Sequence, residues 1–401
     1  MRIVQKCAYR RPVLLLAFGT VPPAFADAWD AEGETQMFAV WRLVRGNPLL
    51  WLLVFVPGVL VIEYAKPEAA MALFVLSVLA IVPLAALLSL ATEAVAAKTG
   101  DTVGGLLNAT LGNLTELVIA LTALQAGQIM LVKASIAGVI VANALFMLGM
   151  SFVLGGLRHH AQEYNAATAR LQSGQLFLAT IAIMVPSIVP DAAAGRGPEF
   201  TQQLSLALAV LLIAIYVLGL VFSLKTHREF FGAIAHHGDD HQEPWPIGVA
   251  LATLAGVTVL VALVSHVFVG SVQEAAEGLG MSDAFVGFVV VALVGGAAEM
   301  ASAFSGARKN RLDLSVGIAL GSATQIALFV APVLVLASYV IGPAPMSLAF
   351  WPGAVAMMFL ATLTAAMVCN TGRSAWFIGV LVLGVYATFA LTLYLLPPAA
   401  R

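Results

Sequence analysis

The sequence predicts an all-α polytopic membrane protein of about eleven transmembrane helices, one extra helix followed by two inverted five-helix repeats. Three observations predict it. Hydrophobic residues make up 61% of the chain against 10% charged, with a mean hydropathy of +0.97, far outside the range of soluble domains. Charged, proline and glycine clusters cut residues 47–397 into stretches near the roughly 20 apolar residues that a helical span requires. One pattern also occurs twice, 183 residues apart and each time midway through an apolar stretch: Gly112-Asn113-Leu114-Thr115-Glu116 and Gly295-Gly296-Ala297-Ala298-Glu299.

The spans fall near 47–65, 69–97, 102–126, 130–157, 172–190, 203–224, 247–270, 283–307, 312–339, 346–369 and 374–397. Residues 1–46 form an N-terminal extension and 47–65 the first helix, outside the symmetry. Residues 69–224 form the first repeat, 225–246 a hydrophilic linker and 247–397 the second repeat. Thr102-Val103-Gly104 maps onto Phe285-Val286-Gly287 at the same offset, so the copies hold register. Glu116 falls in the third span and Glu299 in the eighth. Each repeat therefore has five spans, and an odd number turns the second copy upside down.

Charge sets the orientation. With the N-terminus inside, the cytoplasmic side holds Arg42, Arg45, Lys98, Arg158, Arg170, Lys225, Arg228, Arg308, Lys309, Arg311 and Arg373, and the other side only Lys66, Lys133, Arg196 and Arg401. That bias places the N-terminus in the cytoplasm. Arg10, Arg11 and Ala24-Phe25-Ala26 imitate a secretory signal, but cleavage there opposes the charge bias of every later loop, and Pro22 and Pro23 break the apolar run. Residues 1–36 read as an extension or an early start before Met37. The compact loops suggest a bacterial cytoplasmic membrane, with the lipid bilayer as the chain's surroundings.

A net charge of −2 and the lack of any basic block argue against nucleic acid as a partner. Cys7 and Cys369 form no disulfide framework or metal knuckle. His159-His160-Ala161-Gln162-Glu163 has His and Glu but no HExxH order, so a membrane hydrolase is disfavoured and the chain reads as no enzyme.

Two glutamates in apolar spans are expensive and mark a functional site. A second pair accompanies them within one residue of the same offset: Asn143 in Ile140-Val141-Ala142-Asn143-Ala144-Leu145 and Gln325 in Ser322-Ala323-Thr324-Gln325-Ile326-Ala327. Carboxylates, amide oxygens and backbone carbonyls form an all-oxygen set suited to a hard cation such as Ca2+. Asn113 precedes Glu116 by one helical turn and shares its face. Gly112, Gly295 and Gly296 weaken the helices beside the acids, and opened carbonyls at this depth are tolerated around a cavity or ion. Two carboxylates side by side repel when both are ionised, which favours protonation unless a cation sits between them. The loaded and protonated forms are both near neutral. If only those forms let the helices rock, cation and proton fluxes are coupled at Glu116 and Glu299. A passive cation channel is the main rival, because buried acids alone do not prove coupling.

The stretch from Gly104-Gly105-Leu106-Leu107-Asn108 to Leu111-Gly112-Asn113-Leu114-Thr115-Glu116-Leu117 resembles the first signature of the calcium/proton exchangers, a branch of the cation/calcium exchanger superfamily. Leu312-Asp313-Leu314-Ser315, followed by Gly321-Ser322-Ala323-Thr324-Gln325 through Pro332, resembles the second half. The resemblance implies an eleven-span antiporter that exchanges cytosolic Ca2+, sometimes Mn2+ or another cation, for protons, with no cofactor. An antiporter with Na+, K+ or Mn2+ as its principal substrate is an alternative. It further implies that Glu116 and Glu299 bind the ion, helped by Asn113, Asn143 and Gln325. The signature does not resemble that of the sodium/calcium exchangers. The chain also departs from the expected Gly-Asn-Ala-Ala-Glu-His, having Gly295-Gly296-Ala297-Ala298-Glu299-Met300, and His266 stands where an acid is expected in the seventh span. Ca2+ as principal substrate is the reading these departures weaken most.

Glu93 and Glu274, near the ends of the second and seventh spans, are candidates for the access paths. His236, His237, Asp239, Asp240, His241 and Glu243 form a candidate regulatory loop, with a solvated linker as the alternative. The sequons at Asn108 and Asn113 lie inside a span.

Overall fold

A computed structural model describes residues 48–192, 197–226 and 245–396. The N-terminal extension with Cys7, Arg42 and Arg45, the basic residues Arg196, Arg228 and Arg401, and the loop from His236 to Glu243 lie outside the described residues.

The described residues are almost wholly helical. Helix α1 (Pro48–Ala65) opens with a tight 3-10 turn and stops at Lys66-Pro67, where the proline bars continuation. Helix α2 (Ala70–Thr99) ends on Gly100, whose φ of +81° only glycine adopts without strain. The third span is a bent pair, α3 (Asp101–Leu111) and α4 (Leu114–Gln125), and α5 (Ile129–His159) follows. Then come strand β1 (Ala161–Glu163), α6 (Ala166–Ala192) and α7 (Glu199–Thr226). The second half comprises α8 (Ile247–Gly278), the bent pair α9 (Asp283–Gly295) and α10 (Ala297–Arg308), α11 (Leu312–Ala337), α12 (Pro352–Val368), strand β2 (Arg373–Ala375) and α13 (Trp376–Leu395). Among the described residues nine helices are long and apolar enough to cross a membrane, and the two bent pairs bring the spans to eleven. The chain is a multi-pass integral membrane protein.

Three details differ from expectation. Span seven runs eight residues longer, to Gly278. Span ten begins at Pro352 and not at 346, because Met346, Leu348 and Phe350 are extended linker residues whose amides are held by Ser338, Ser205 and Ser187. A two-stranded antiparallel ribbon pairs β1 with β2, matching Gln162 with Ser374, in a chain read as all-α.

Helices α5 and α11 occupy the centre and are mostly buried, whereas α7 and α8 are mostly exposed. The outer helices α7, α8 and α13 expose Leu211, Leu218, Val259, Leu263, Leu381 and Leu391, as lipid-facing surfaces do. The packing has a two-fold pattern. α2 and α8 make the most extensive contact, α12 packs on α6, and the α5–α13 contact is matched by that of α11 with α7. Single side chains repeat it: Phe146 lies against Tyr386 with ring centroids 5.3 Å apart, and Phe329, 183 residues after Phe146, lies against Tyr216 at 5.2 Å.

Linkers gather at two ends. At the ribbon end Gln162, almost fully buried, donates from Nε2 to the Ala307 carbonyl at 3.0 Å and to Asn310 Oδ1 at 2.9 Å. Asp313 accepts from the Asn165 amide, Arg170 donates to the Asn370 carbonyl, and the His159 ring meets the Arg308 carbonyl. Tyr164, buried here and stacked on Phe152, has its phenol pushed up to about 12 by burial, so it stays a neutral donor to the Val368 carbonyl. At the opposite end Lys133 donates to the Ala349 carbonyl at 2.6 Å, and Gln202 to the Tyr339 hydroxyl.

Candidate cation site

Both bent spans break at the duplicated motif. The third span bends 42° at Gly112-Asn113 and the eighth 59° at Gly296. Glycine costs a helix interior roughly 1 kcal/mol relative to alanine, which makes these the weak points of each span. Glu116 and Glu299 are each the third residue of the helix that restarts after the break. A helix start presents unpaired N–H groups and a positive dipole end, so both acids stand where negative charge is favoured.

The two breaks touch. Gly295 lies so close to Glu116 that a Cβ built on it comes within 3.2 Å of Glu116 Cγ. Glu299 is near enough to Glu116 to feel its charge, and the Ser322 hydroxyl faces Glu299. Glu116 is buried and Glu299 half-buried. One carboxylate oxygen of each, Oε2, is buried with no protein hydrogen-bond partner.

A relay of amides and one hydroxyl borders the acids. Asn143 Nδ2 donates to Ser322 Oγ at 2.9 Å, Ser322 Oγ donates to Asn113 Oδ1 at 2.9 Å, and Asn113 Nδ2 donates to Gln325 Oε1. Asn143 sits in a π-helical turn (Ala142–Met147) of α5, and Gln325 immediately precedes one (Ile326–Val330) in α11. Such turns rotate a side chain out of helical register and occur often at functional sites. The relay leaves Asn143 Oδ1 buried and unpartnered, a third free acceptor beside the two carboxylate oxygens. Three buried acceptors that find no donor are costly unless a cation or protons satisfy them. Gly112 adjoins the same relay, its Cβ position lying 4.0 Å from Gln325 Oε1.

The residues singled out from the repeat, Glu116, Glu299, Asn113, Asn143, Gln325, Gly112 and Gly295, thus meet at one place. Ser322 was missed as a participant. It has no polar counterpart one repeat earlier, where Val139 and Ile140 stand, so the symmetry that found the others passed over it. Glu93 is half-buried on α2 and accepts from Ser89 Oγ, while Glu274 is exposed in a shallow groove with Glu68, Met71 and Gly278. Neither meets the relay. His266 is exposed on α8. Among the described residues no cluster of three or more His, Cys, Asp or Glu exists, so these two carboxylates and the amides are the oxygen set available.

Eleven spans, two of them broken and each restarting beside an acid, define a membrane transporter of the broken-helix class. The family model described as sodium/calcium exchanger protein matches residues 69–225 and 249–395, and the chain belongs to that family. It is 39% identical over 359 residues to the Ca(2+)/H(+) antiporter of Aphanothece halophytica, covering 86% of this chain and 96% of that protein. It is also 39% identical over 327 residues to the Ca(2+)/H(+) antiporter ChaA of Bacillus subtilis, covering 81% and 92%. Its fold is similar to that of native YfkE, with a TM-score of 0.75 and 35% identity over 87% of this chain and all of that one.

Proposed function

We propose that the chain is a secondary active antiporter that exports Ca2+, or a related divalent cation, in exchange for protons. The relatives' names support the exchange. The observation that carries the residue assignment is the convergence of three unpartnered buried oxygens, from Glu116, Glu299 and Asn143, at the meeting of two helix breaks.

These oxygens have two ways to be satisfied. A divalent cation balances both carboxylates, and two protons balance the same pair when it leaves. Low dielectric makes the empty, doubly ionised pair the disfavoured state, so the site exchanges one load for the other. Asn113 and Gln325 already accept one hydrogen bond each and keep a second lone pair on the amide oxygen for the ion. Glycines at both breaks let neighbouring carbonyls turn toward it.

Alternating access then follows from two inverted repeats, residues 69–224 and 247–397, rocking about the site. The two stretches matched by the family model and the paired contacts of Phe146 and Phe329 support that layout. Among the described residues the ribbon end carries Lys98, Arg158, Arg170, Lys225, Arg308, Lys309, Arg311 and Arg373, and the other end only Lys66 and Lys133. This supports a cytoplasmic ribbon end and N-terminus, in a bacterial cytoplasmic membrane. Glu93 and Glu274 lie toward opposite ends of the bundle, as residues of two access paths do.

A cation screen in everted vesicles with an acid interior tests the reading. Ca2+ is expected to dissipate the gradient while Na+ and K+ do not. Ca2+ entry without proton movement indicates a passive channel instead.

A further inference from the structure

The site's symmetry is broken at Gly296 as well as at Ser322. The 183-residue offset carries Asn113 onto Gly296, and Asn143 corresponds to Gln325 within one residue. In one half, Asn113 gives its amide N–H to Gln325 Oε1. In the other, the matching contact brings Gly296 to Asn143: the Cβ position of Gly296 lies 3.7 Å from Asn143 Oδ1, but there is no side chain to donate. The consequence is visible in the hydrogen bonding, since Asn143 Oδ1 is buried and unpartnered whereas Gln325 Oε1 is held.

We propose that Gly296 sets this chain's discrimination among divalent cations, by withholding from Asn143 the donor that Asn113 gives Gln325. The inference rests on the antiport reading above. The occupied half of the relay is rigid, because Asn113 is pinned from both sides by Ser322 and Gln325. Asn143 is pinned only through its nitrogen, by Ser322 at 2.9 Å. Its oxygen, free of any protein donor, therefore takes the ion without giving up a hydrogen bond. The missing side chain also removes one protein oxygen from the shell. Ca2+ takes about six to eight oxygens, whereas smaller divalent cations close an octahedral shell and keep several waters. A site with fewer protein oxygens and one unlocked amide contracts readily and tolerates retained water. It accepts Mn2+ nearly as well as Ca2+.

Space for the test exists. A Cβ at 296 meets the Ala292 carbonyl at 3.3 Å and Met300 Cε at 3.5 Å, contacts that small shifts relieve. The experiment uses the full chain in proteoliposomes with a trapped pH dye, titrated with Ca2+ or Mn2+. For the unaltered protein the two half-saturating concentrations should agree within about tenfold. Gly296→Asn should widen the preference for Ca2+ by about tenfold, and Gly296→Ala, which adds a methyl but no amide, should widen it less. A preference above about a hundredfold in the unaltered protein overturns the proposal, whatever the variants do. So does a Gly296→Asn protein that transports with an unchanged ratio, or a Gly296→Ala protein that matches it. Absence of proton movement with every divalent cation removes the antiport reading and this inference together; transport with the wrong ratio removes only this one.

Discussion

Asn113 donates its side-chain amide to Oε1 of Gln325, 212 residues further along the chain, and so ties the broken third span to the centre of α11. This contact and the Ser322 hydroxyl make the polar relay a structural unit, whatever it binds. Replacing Asn113 by Leu takes the acceptor from the Ser322 hydroxyl and the donor from Gln325 Oε1, at a cost of about 1–3 kcal/mol for each buried group left unsatisfied. Thermal unfolding in detergent should therefore fall for Asn113→Leu. The fall should exceed that for Asn143→Leu, which strands one partner and not two.

Gly295→Ala tests the packing of the acids. The added methyl approaches Glu116 Cγ at 3.2 Å and its carboxylate carbon and Oε1 at 3.6 Å, so the Glu116 side chain must give way. A misplacement near 1 Å in a site of this kind costs up to about a hundredfold in rate. Proton-coupled cation uptake should drop at least severalfold with the folded yield preserved; uptake equal to the unaltered protein would show that Glu116 need not sit where it does.

The tyrosines matched across the repeats should respond unequally. Tyr216 donates to the Ala109 carbonyl at 2.7 Å, bracing α3 just before the break, whereas the Tyr386 hydroxyl is buried and unpartnered. Tyr216→Phe is expected to lower stability by about 1 kcal/mol and Tyr386→Phe to be neutral or slightly stabilising. Denaturation midpoints of the two variants decide it.

Competition at the carboxylates fixes the sign of the pH dependence. If the cation binds Glu116 and Glu299 as proposed, protonation removes the charge that holds it, and apparent affinity should rise with pH on the cation side. The limit is about tenfold per pH unit for each proton displaced. Half-saturation measured at several pH values checks this, and a flat profile would mean that protons and cation do not share the groups.

At the ribbon end, burial decides which contacts matter. Gln162→Ala removes one buried and one partly buried hydrogen bond, and about 1–3 kcal/mol of stability should go with them. Arg373→Ala breaks an ion pair with Glu163 at 3.2 Å in which both side chains are mostly exposed, and should change stability by less than about 1 kcal/mol.

Much of this was legible in the sequence, for reasons that differ by feature. Apolar runs broken by charge and proline marked the spans, because a bilayer leaves the backbone no alternative to a helix. The breaks were legible because glycine adjoined an acid twice at one offset. The internal duplication also exposed Glu116, Glu299, Asn143 and Gln325, since a second copy turns one odd polar residue into a pattern. What escaped was whatever lacked a copy. Ser322 has Val139 or Ile140 opposite it and belongs to one half alone. The β1–β2 ribbon joins segments over two hundred residues apart by backbone bonds, which three-residue strands do not announce. Which oxygens are already engaged depends on who donates to whom across helices, and spacing along one helix says nothing about that.

The most direct measurement is cation-driven proton movement in vesicles carrying Glu116→Gln or Glu299→Gln, side by side with the unaltered protein. Each variant keeps the size and polarity of the side chain and loses the charge. Ca2+ should dissipate the imposed pH gradient in the unaltered protein and in neither variant, at equal amounts of folded protein. Full Ca2+-driven proton movement in either variant would contradict the assignment of both acids to the exchange.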